Sequence, residues 1–232
     1  MATTFQELYD ELDLECQELQ GEADYNPIIT KRLINRAYHS FAKDVDLLNA
    51  EFSFTTIADQ QFYTSSDVAN WAYAYRIINV KYIEDASAEF GKILYPYPGG
   101  YDNLPKLLSS GTPTWYYTFG RQGTPIQKIG TYPVIGTSDY TLKVNAYHYP
   151  TTELSQTSDV PLIPEEYRDA LIYYAAWRMF IRYGHRNPAW AKKALEYKIS
   201  YREFVGDYKM QHFIEDQLPQ VQDIYTTSNW II

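Results

Sequence analysis

Pro164-Glu165-Glu166-Tyr167-Arg168-Asp169-Ala170-Leu171-Ile172-Tyr173-Tyr174-Ala175-Ala176 is the stretch on which the fold turns. Proline at a first helical turn costs nothing, because the N–H it lacks has no partner there. Two carboxylates follow, at the positive end of a helix dipole. From Tyr167 to Tyr183 the pattern is apolar on most faces, through Leu171, Tyr174, Ala175, Trp177, Phe180 and Ile181. A helix apolar nearly all round belongs at the centre of a packed unit. Gly184 is the expected stop. His185 follows it, where an imidazole can cap the last carbonyls.

Downstream, Asn187-Pro188 signals a second start. Trp190, Ala194, Tyr197, Tyr201, Phe204 and Tyr208 then recur at helical spacing. This helix is expected to fray near Gly206 or to reach about His212. Residues 213–232 mix apolar and polar residues around Pro219 and end in Trp230-Ile231-Ile232. They read as an arm that folds back or orders on a partner.

Upstream, Phe5, Leu8, Leu12, Cys16 and Leu19 mark an amphipathic helix over 5–19. Asn26-Pro27 starts another, with Ile29, Leu33, Ala37, Phe41 and Val45 as its stripe, running to about Asn49. Lys31, Arg32 and Lys43 lie off that stripe. After Glu51 the period changes to two. Short runs around Phe52–Phe54, Phe62-Tyr63, Ile77–Ile83, Ile93–Tyr95, Trp115–Phe119, Ile126–Ile129 and Tyr140–Tyr149 are punctuated by Gly, Pro, Asp and Ser. The expected class is α+β: a four-helix bundle with a small antiparallel β-sandwich or barrel inserted between the second and third helices, plus an extended C-terminal arm. The expected boundaries are 1–50 and 162–212 for the bundle, 51–161 for the β insertion and 213–232 for the arm.

Composition narrows function. The net charge of −9 argues against a protein that grips nucleic acid by neutralising phosphates. It is compatible with a wall past which DNA slides. The 24 tyrosines suit either strands or interfaces. The single cysteine, Cys16, allows no internal disulfide, which fits a reducing cytoplasm. The first twenty residues do not read as a signal peptide, and no stretch reads as a membrane span. No phosphate loop, dinucleotide fingerprint, nucleophile elbow or metal-spaced histidine pair is present in the sequence, so no catalytic residue, metal or cofactor is expected. Helix-start electrostatics accounts for Glu165-Glu166 better than catalysis does.

Three interaction features remain. Residues 178–209 hold eight basic and three acidic side chains. Arg178, Arg182, Arg186, Lys192, Lys193, Lys198 and Arg202 form a candidate face for a neighbouring copy or an acidic partner, unless they pair within the monomer. Residues 1–24 carry eight acidic and no basic side chains. Of these, Asp10, Glu11, Asp13 and Glu15 are a candidate channel-facing set. Ile214, Leu218, Val221, Ile224, Tyr225, Trp230 and Ile231 are costly to leave in water and form a candidate docking set.

The order of several short motifs resembles the head-to-tail adaptor (connector) proteins of tailed bacteriophages. These are Phe5-Gln6-Glu7-Leu8-Tyr9; Thr30-Lys31-Arg32-Leu33-Ile34-Asn35-Arg36-Ala37-Tyr38; Asp59-Gln60-Gln61-Phe62-Tyr63; Gly111-Thr112-Pro113-Thr114-Trp115-Tyr116-Tyr117; and Pro161 through Ala176. The likeness covers about residues 3–210. The resemblance implies a structural, non-enzymatic protein of the virion neck, made in the host cytoplasm. It implies a ring, usually dodecameric, between the portal protein and a tail hub, nozzle or other neck protein. DNA would pass through the ring without specific binding, no membrane would be involved, and the C-terminal segment would clasp the portal. Rival readings are a stopper or tail-completion protein, a glycan-binding tail accessory and an enzyme with a scattered site.

Overall fold

A computed structural model describes residues 3–22, 25–84, 91–98, 110–119 and 125–226, with side chains as far as His212. The chain divides into two units: Met1–Val45 with Thr152–Ile232, and Asp46–Thr151.

In the first unit, helix α1 (Phe5–Glu15) opens on a capping box. The Glu7 amide donates to Thr4 Oγ1 at 3.3 Å, and the Thr4 amide donates to Glu7 Oε2 at 2.6 Å. Phe5, Leu8 and Leu12 are buried, and a 3-10 turn (Gln17–Leu19) continues that face through Cys16 and Leu19. Helix α2 (Pro27–Asp44) starts as expected, with Asn26 Oδ1 accepting from the Ile29 amide at 3.1 Å. It ends five residues before Asn49. Val45 closes it, and Asp46 takes a φ of 53°, outside the right-handed helix region.

A 3-10 turn (Glu165–Tyr167) leads into helix α3 (Asp169–Tyr183). Ala170, Leu171, Ile172, Ala175, Ala176, Met179, Phe180 and Tyr183 are buried on it. Helices α1, α2 and α4 (Pro188–Thr226) all pack on α3 or on each other. Gly184 is right-handed, with a φ of −58°. Its role is close approach, since a Cβ there would lie 3.2 Å from Ala191 Cα. His185 Nδ1 lies 3.1 Å from the Arg182 carbonyl, the expected cap.

The C-terminal expectation needs correction. Helix α4 passes both Gly206 and His212 and runs to Thr226, so residues 213–226 are helical rather than extended. Pro219 removes one rung of the ladder without ending it. Ile214, Leu218, Val221 and Tyr225 follow one another at steps of four, three and four, a helical period across the proline.

The segment before α3 is bound to the helices through its backbone. Asn35 brackets Leu154, its Nδ2 donating to the Leu154 carbonyl at 2.9 Å and its Oδ1 accepting from the Leu154 amide at 2.8 Å. The Phe5 amide donates to the Asp159 carbonyl at 2.7 Å, and the Leu162 amide donates to the Tyr38 hydroxyl at 3.1 Å.

The second unit comprises β1 (Asn49–Thr55), β2 (Phe62–Thr64), β3 (Ala74–Ile83), β4 (Lys92–Pro96), β5 (Ser110–Gly111), β6 (Trp115–Phe119), β7 (Lys128–Tyr132), β8 (Val134–Ile135) and β9 (Thr141–His148). Seven form one nearly closed, barrel-like sheet in the order β1-β9-β3-β4-β6-β7-β2, and β5 pairs with β8. Its two edge strands reach the same core, where the rings of Phe54 on β1 and Tyr63 on β2 lie 5.8 Å apart. Trp71, Val80, Ile129, Leu142 and Val144 are among the other buried residues of that core. The sheet is not wholly antiparallel as expected: β4 runs parallel to β6, and β5 to β8. A parallel neighbour needs a long connection, and eighteen residues of sequence separate β4 from β6.

Candidate partner-binding surfaces

The basic residues of 178–209 do not share one free face. Arg186 and Lys193 form ion pairs with Glu22 and Glu18. Lys192 lies 3.7 Å from Glu196, one turn along α4. Lys198 stands 5.3 Å from the centre of the Trp177 ring, a cation–π arrangement. Arg202 is exposed on α4, and Arg178 and Arg182 are exposed on α3.

The structure instead gathers Arg178 and Arg182 with Arg32 and Arg36 of α2. The four arginines, with Ile29, Leu33 and Ile181, line an open cleft of about 310 Å³. Each helix contributes an i, i+4 arginine pair, which places both members on one face. Among the described residues, Arg32, Arg36 and Arg178 have no carboxylate within ion-pair distance. Ile181 is 55% exposed at the cleft's edge. Sequence reasoning left Arg32 and Arg36 out of the basic face, because only the packing of α2 on α3 joins positions about 146 apart. A second cleft of about 580 Å³ adjoins it, lined by Arg32, Asn35, Arg36, His39, Ser40, Glu153 and Tyr174. Burial pushes the His39 pKa below the usual histidine value, with Glu153 opposing.

The four acidic residues of α1 divide in the same way. Asp13 is engaged, accepting from Tyr25 Oη at 2.7 Å and Gln20 Nε2 at 2.9 Å. Glu15 accepts from Tyr197 Oη. Asp10 accepts from its own helix, from Gln6 Nε2 at 2.7 Å. Burial, and then the neighbouring charges of Asp169 and Glu15, raise the Glu11 pKa above the usual carboxylate value. Leu14, 69% exposed, lies among them.

For the docking set, the backbone of Ile214, Leu218, Val221, Ile224 and Tyr225 is helical. Their side chains lie outside the described residues, as do Trp230 and Ile231 entirely.

The β unit carries an aromatic surface, and its residues serve both uses that the tyrosine content suggested, strand and interface. Pairing Tyr95 with Trp115 in parallel register starts an aromatic row. The Trp115 ring lies 6.2 Å from Tyr95 and 6.4 Å from Tyr97, and Tyr97 lies 5.4 Å from Tyr132. Tyr95 is 59% exposed. Rings of this kind serve protein interfaces or sugar faces.

No group of three or more His, Cys, Asp or Glu side chains placed to hold a metal occurs among the described residues. None of the described helices is long and apolar enough to cross a membrane. Cys16 is buried and its pKa is pushed up to about 12, so its thiol is not an activated nucleophile.

A family model described as SU10 adaptor protein matches residues 3–222. No curated protein matches the chain.

Proposed function

The chain belongs to the SU10 adaptor protein family, a head-to-tail adaptor family of phages, and on that premise we propose that it forms an oligomeric ring under the portal, joining capsid to tail and passing DNA through its channel. The observation that carries this reading is the span of the family match, which runs through both helical segments and the β insertion between them. As an adaptor the protein has its place in the virion and associates with other head or tail components. Its work is structural: complementary surfaces, with no reacting group required.

The C-terminal part of α4 docks on the portal in this proposal. Ile214, Leu218, Val221 and Tyr225 recur at helical spacing, the pattern of an amphipathic helix that lays an apolar face into a groove. Trp230 and Ile231 extend that apolar content. The net charge of −9 suits a channel that does not retain DNA.

The test is to mix the full chain, and a truncation after His212, with purified cognate portal rings, and to read the products by mass photometry and negative-stain imaging. The full chain is expected to add a ring to the portal and the truncation to fail. A full chain that ignores the portal but binds isolated tails would make it a stopper or tail-completion protein instead.

A further inference from the structure

The arginine cleft is turned away from α1. The α2 cation that reaches α1 is Lys31, whose Nζ stands 5.9 Å from the centre of the Tyr9 ring. At about 100° per residue, Arg32 and Arg36 lie about 100° and about 140° further round the α2 axis than Lys31. The acidic edge of α1 and the arginine cleft each have an exposed apolar residue at the edge, Leu14 on the acidic side and Ile181 on the basic side.

We propose that the α2–α3 arginine cleft of one copy receives the acidic edge of α1 of the next copy, Arg32 and Arg178 meeting Asp10 and Glu11, with Ile181 against Leu14. This rests on the ring reading above and specifies its seam. Two different patches make a head-to-tail contact, the kind that closes into a ring when the rotation between copies is right. Guanidinium forks match carboxylates in a bidentate manner, which fixes register as well as attraction. Arginine with exposed isoleucine and leucine is a protein-interface composition. A duplex DNA site would instead present cations to a continuous polyanion with no apolar centre. Arg186 and Lys193 already have their carboxylates and Lys31 stands over the Tyr9 ring of α1, whereas among the described residues Arg32 and Arg178 have no carboxylate within ion-pair distance. The seam takes Asp10 and Glu11 out of the channel wall and gives them to the neighbour.

A charge-swap experiment on the full chain tests this. One variant carries Arg32→Glu with Arg178→Glu; the other carries Asp10→Arg with Glu11→Arg. All four positions face solvent, and circular dichroism checks that the fold is kept. Each variant alone sets like charges across every seam and is expected to lose assembly on cognate portal rings. An equimolar mixture restores opposite charges at every seam by strict alternation, so it is expected to recover rings. If the wild type itself fails to assemble, the ring reading falls and this inference with it. If the wild type assembles and either variant does so alone, or the mixture does not recover, the ring stands and this seam is wrong. Normal assembly of the arginine variant with lost retention of a short DNA duplex would make the cleft a phosphate site and overturn the proposal. Should a reversed variant misfold, Arg32→Gln with Arg178→Gln is expected to weaken assembly at least tenfold, and unchanged assembly overturns the seam.

Discussion

Tyr201 Oη donates to the Asp44 carboxylate at 2.7 Å, a bond from the middle of α4 to the last residue of α2. The phenol is buried, and burial together with that carboxylate raises its pKa, so it stays a donor at any physiological pH. Tyr201→Phe keeps the ring and deletes only the donor. The expected cost is about 1–2 kcal/mol, the range for a hydrogen bond to a charged acceptor discounted for the exposure of Asp44. Urea unfolding of the full chain measures it, and an unchanged midpoint would show that solvent replaces the phenol fully.

Gly130 on β7 lies beneath the Tyr117 ring. A Cβ there would come 2.5 Å from Tyr117 Cζ and 2.7 Å from the Gln61 carbonyl oxygen. The ring can swing away, but the Gln61 backbone cannot. Gly130→Ala is therefore expected to destabilise by about 2–3 kcal/mol, the upper part of the overpacking range. Tyr117→Ala is itself destabilising, since the ring is buried, but in that background the added cost of Gly130→Ala should fall only in part. Thermal melting of the two variants and their combination decides the point, and an increment that vanishes in the Tyr117→Ala background would mean that the ring alone filled the space.

The features legible in the sequence are those fixed by neighbours a few residues away. Asn26-Pro27 announced α2 because its cap bond spans three residues. The start of α4 was readable from Asn187, whose Oδ1 accepts from the Ala189 amide. The end of α2 was not readable, because Val45 continues the apolar stripe while the backbone turns at Asp46. The pairing of β4 with β6 was not readable either, because nothing within either strand's own sequence sets the direction of its neighbour. At the C-terminus, Pro219 outweighed a helical spacing that was present all along. The candidate surfaces were half legible. Charge content was visible as counts, but pairing was not, so Arg186 and Lys193 looked available and Arg32 looked incidental.

Asn35 satisfies both backbone groups of Leu154, a residue 119 positions away. Asn35→Ala would leave a part-buried amide and carbonyl without those partners, at an expected cost of about 1–3 kcal/mol. Asn35→Asp keeps an acceptor for the Leu154 amide and loses the donor to the carbonyl, so it should fall between wild type and alanine. Equilibrium unfolding orders the three. Equal stability of Asp and Ala variants would assign the whole effect to the donated bond.

Acid should loosen one corner of the helical unit before the rest. The Glu7 pKa is lowered by its bonds from the Thr4 amide and hydroxyl. The Asp159 pKa is lowered by bonds from the Ser155 and Gln156 amides. Both groups are depressed carboxylates. Their contribution is complete above their unfolded values and is lost as pH falls through the lower folded values. The Phe5 amide bonds to the Asp159 carbonyl, so the two caps share one corner. Hydrogen exchange at Thr4, Ser155 and Gln156 is expected to accelerate below about pH 4, relative to buried amides of α3. Uniform acceleration across the unit would contradict a local effect.

Cys16 supplies a probe of how α1 is held. Its side chain is fully buried, and burial with the charges of Glu15 and Asp13 pushes its pKa up to about 12. At pH 8 the thiolate population is therefore small and the sulfur is shielded, so the native chain is expected to resist an aromatic disulfide reagent. Labelling must wait for α1 to lift from α2 and α3, and its rate reports that opening. Leu8→Ala removes a fully buried side chain from the same face and is expected to destabilise by about 2–4 kcal/mol. If opening is local to α1, labelling should accelerate by a factor matching that loss while the amides of α3 stay protected. If α3 protection falls by the same factor, the helices open as one unit. Immediate labelling of the wild type would mean that Cys16 is not buried in solution and that α1 is not held as described.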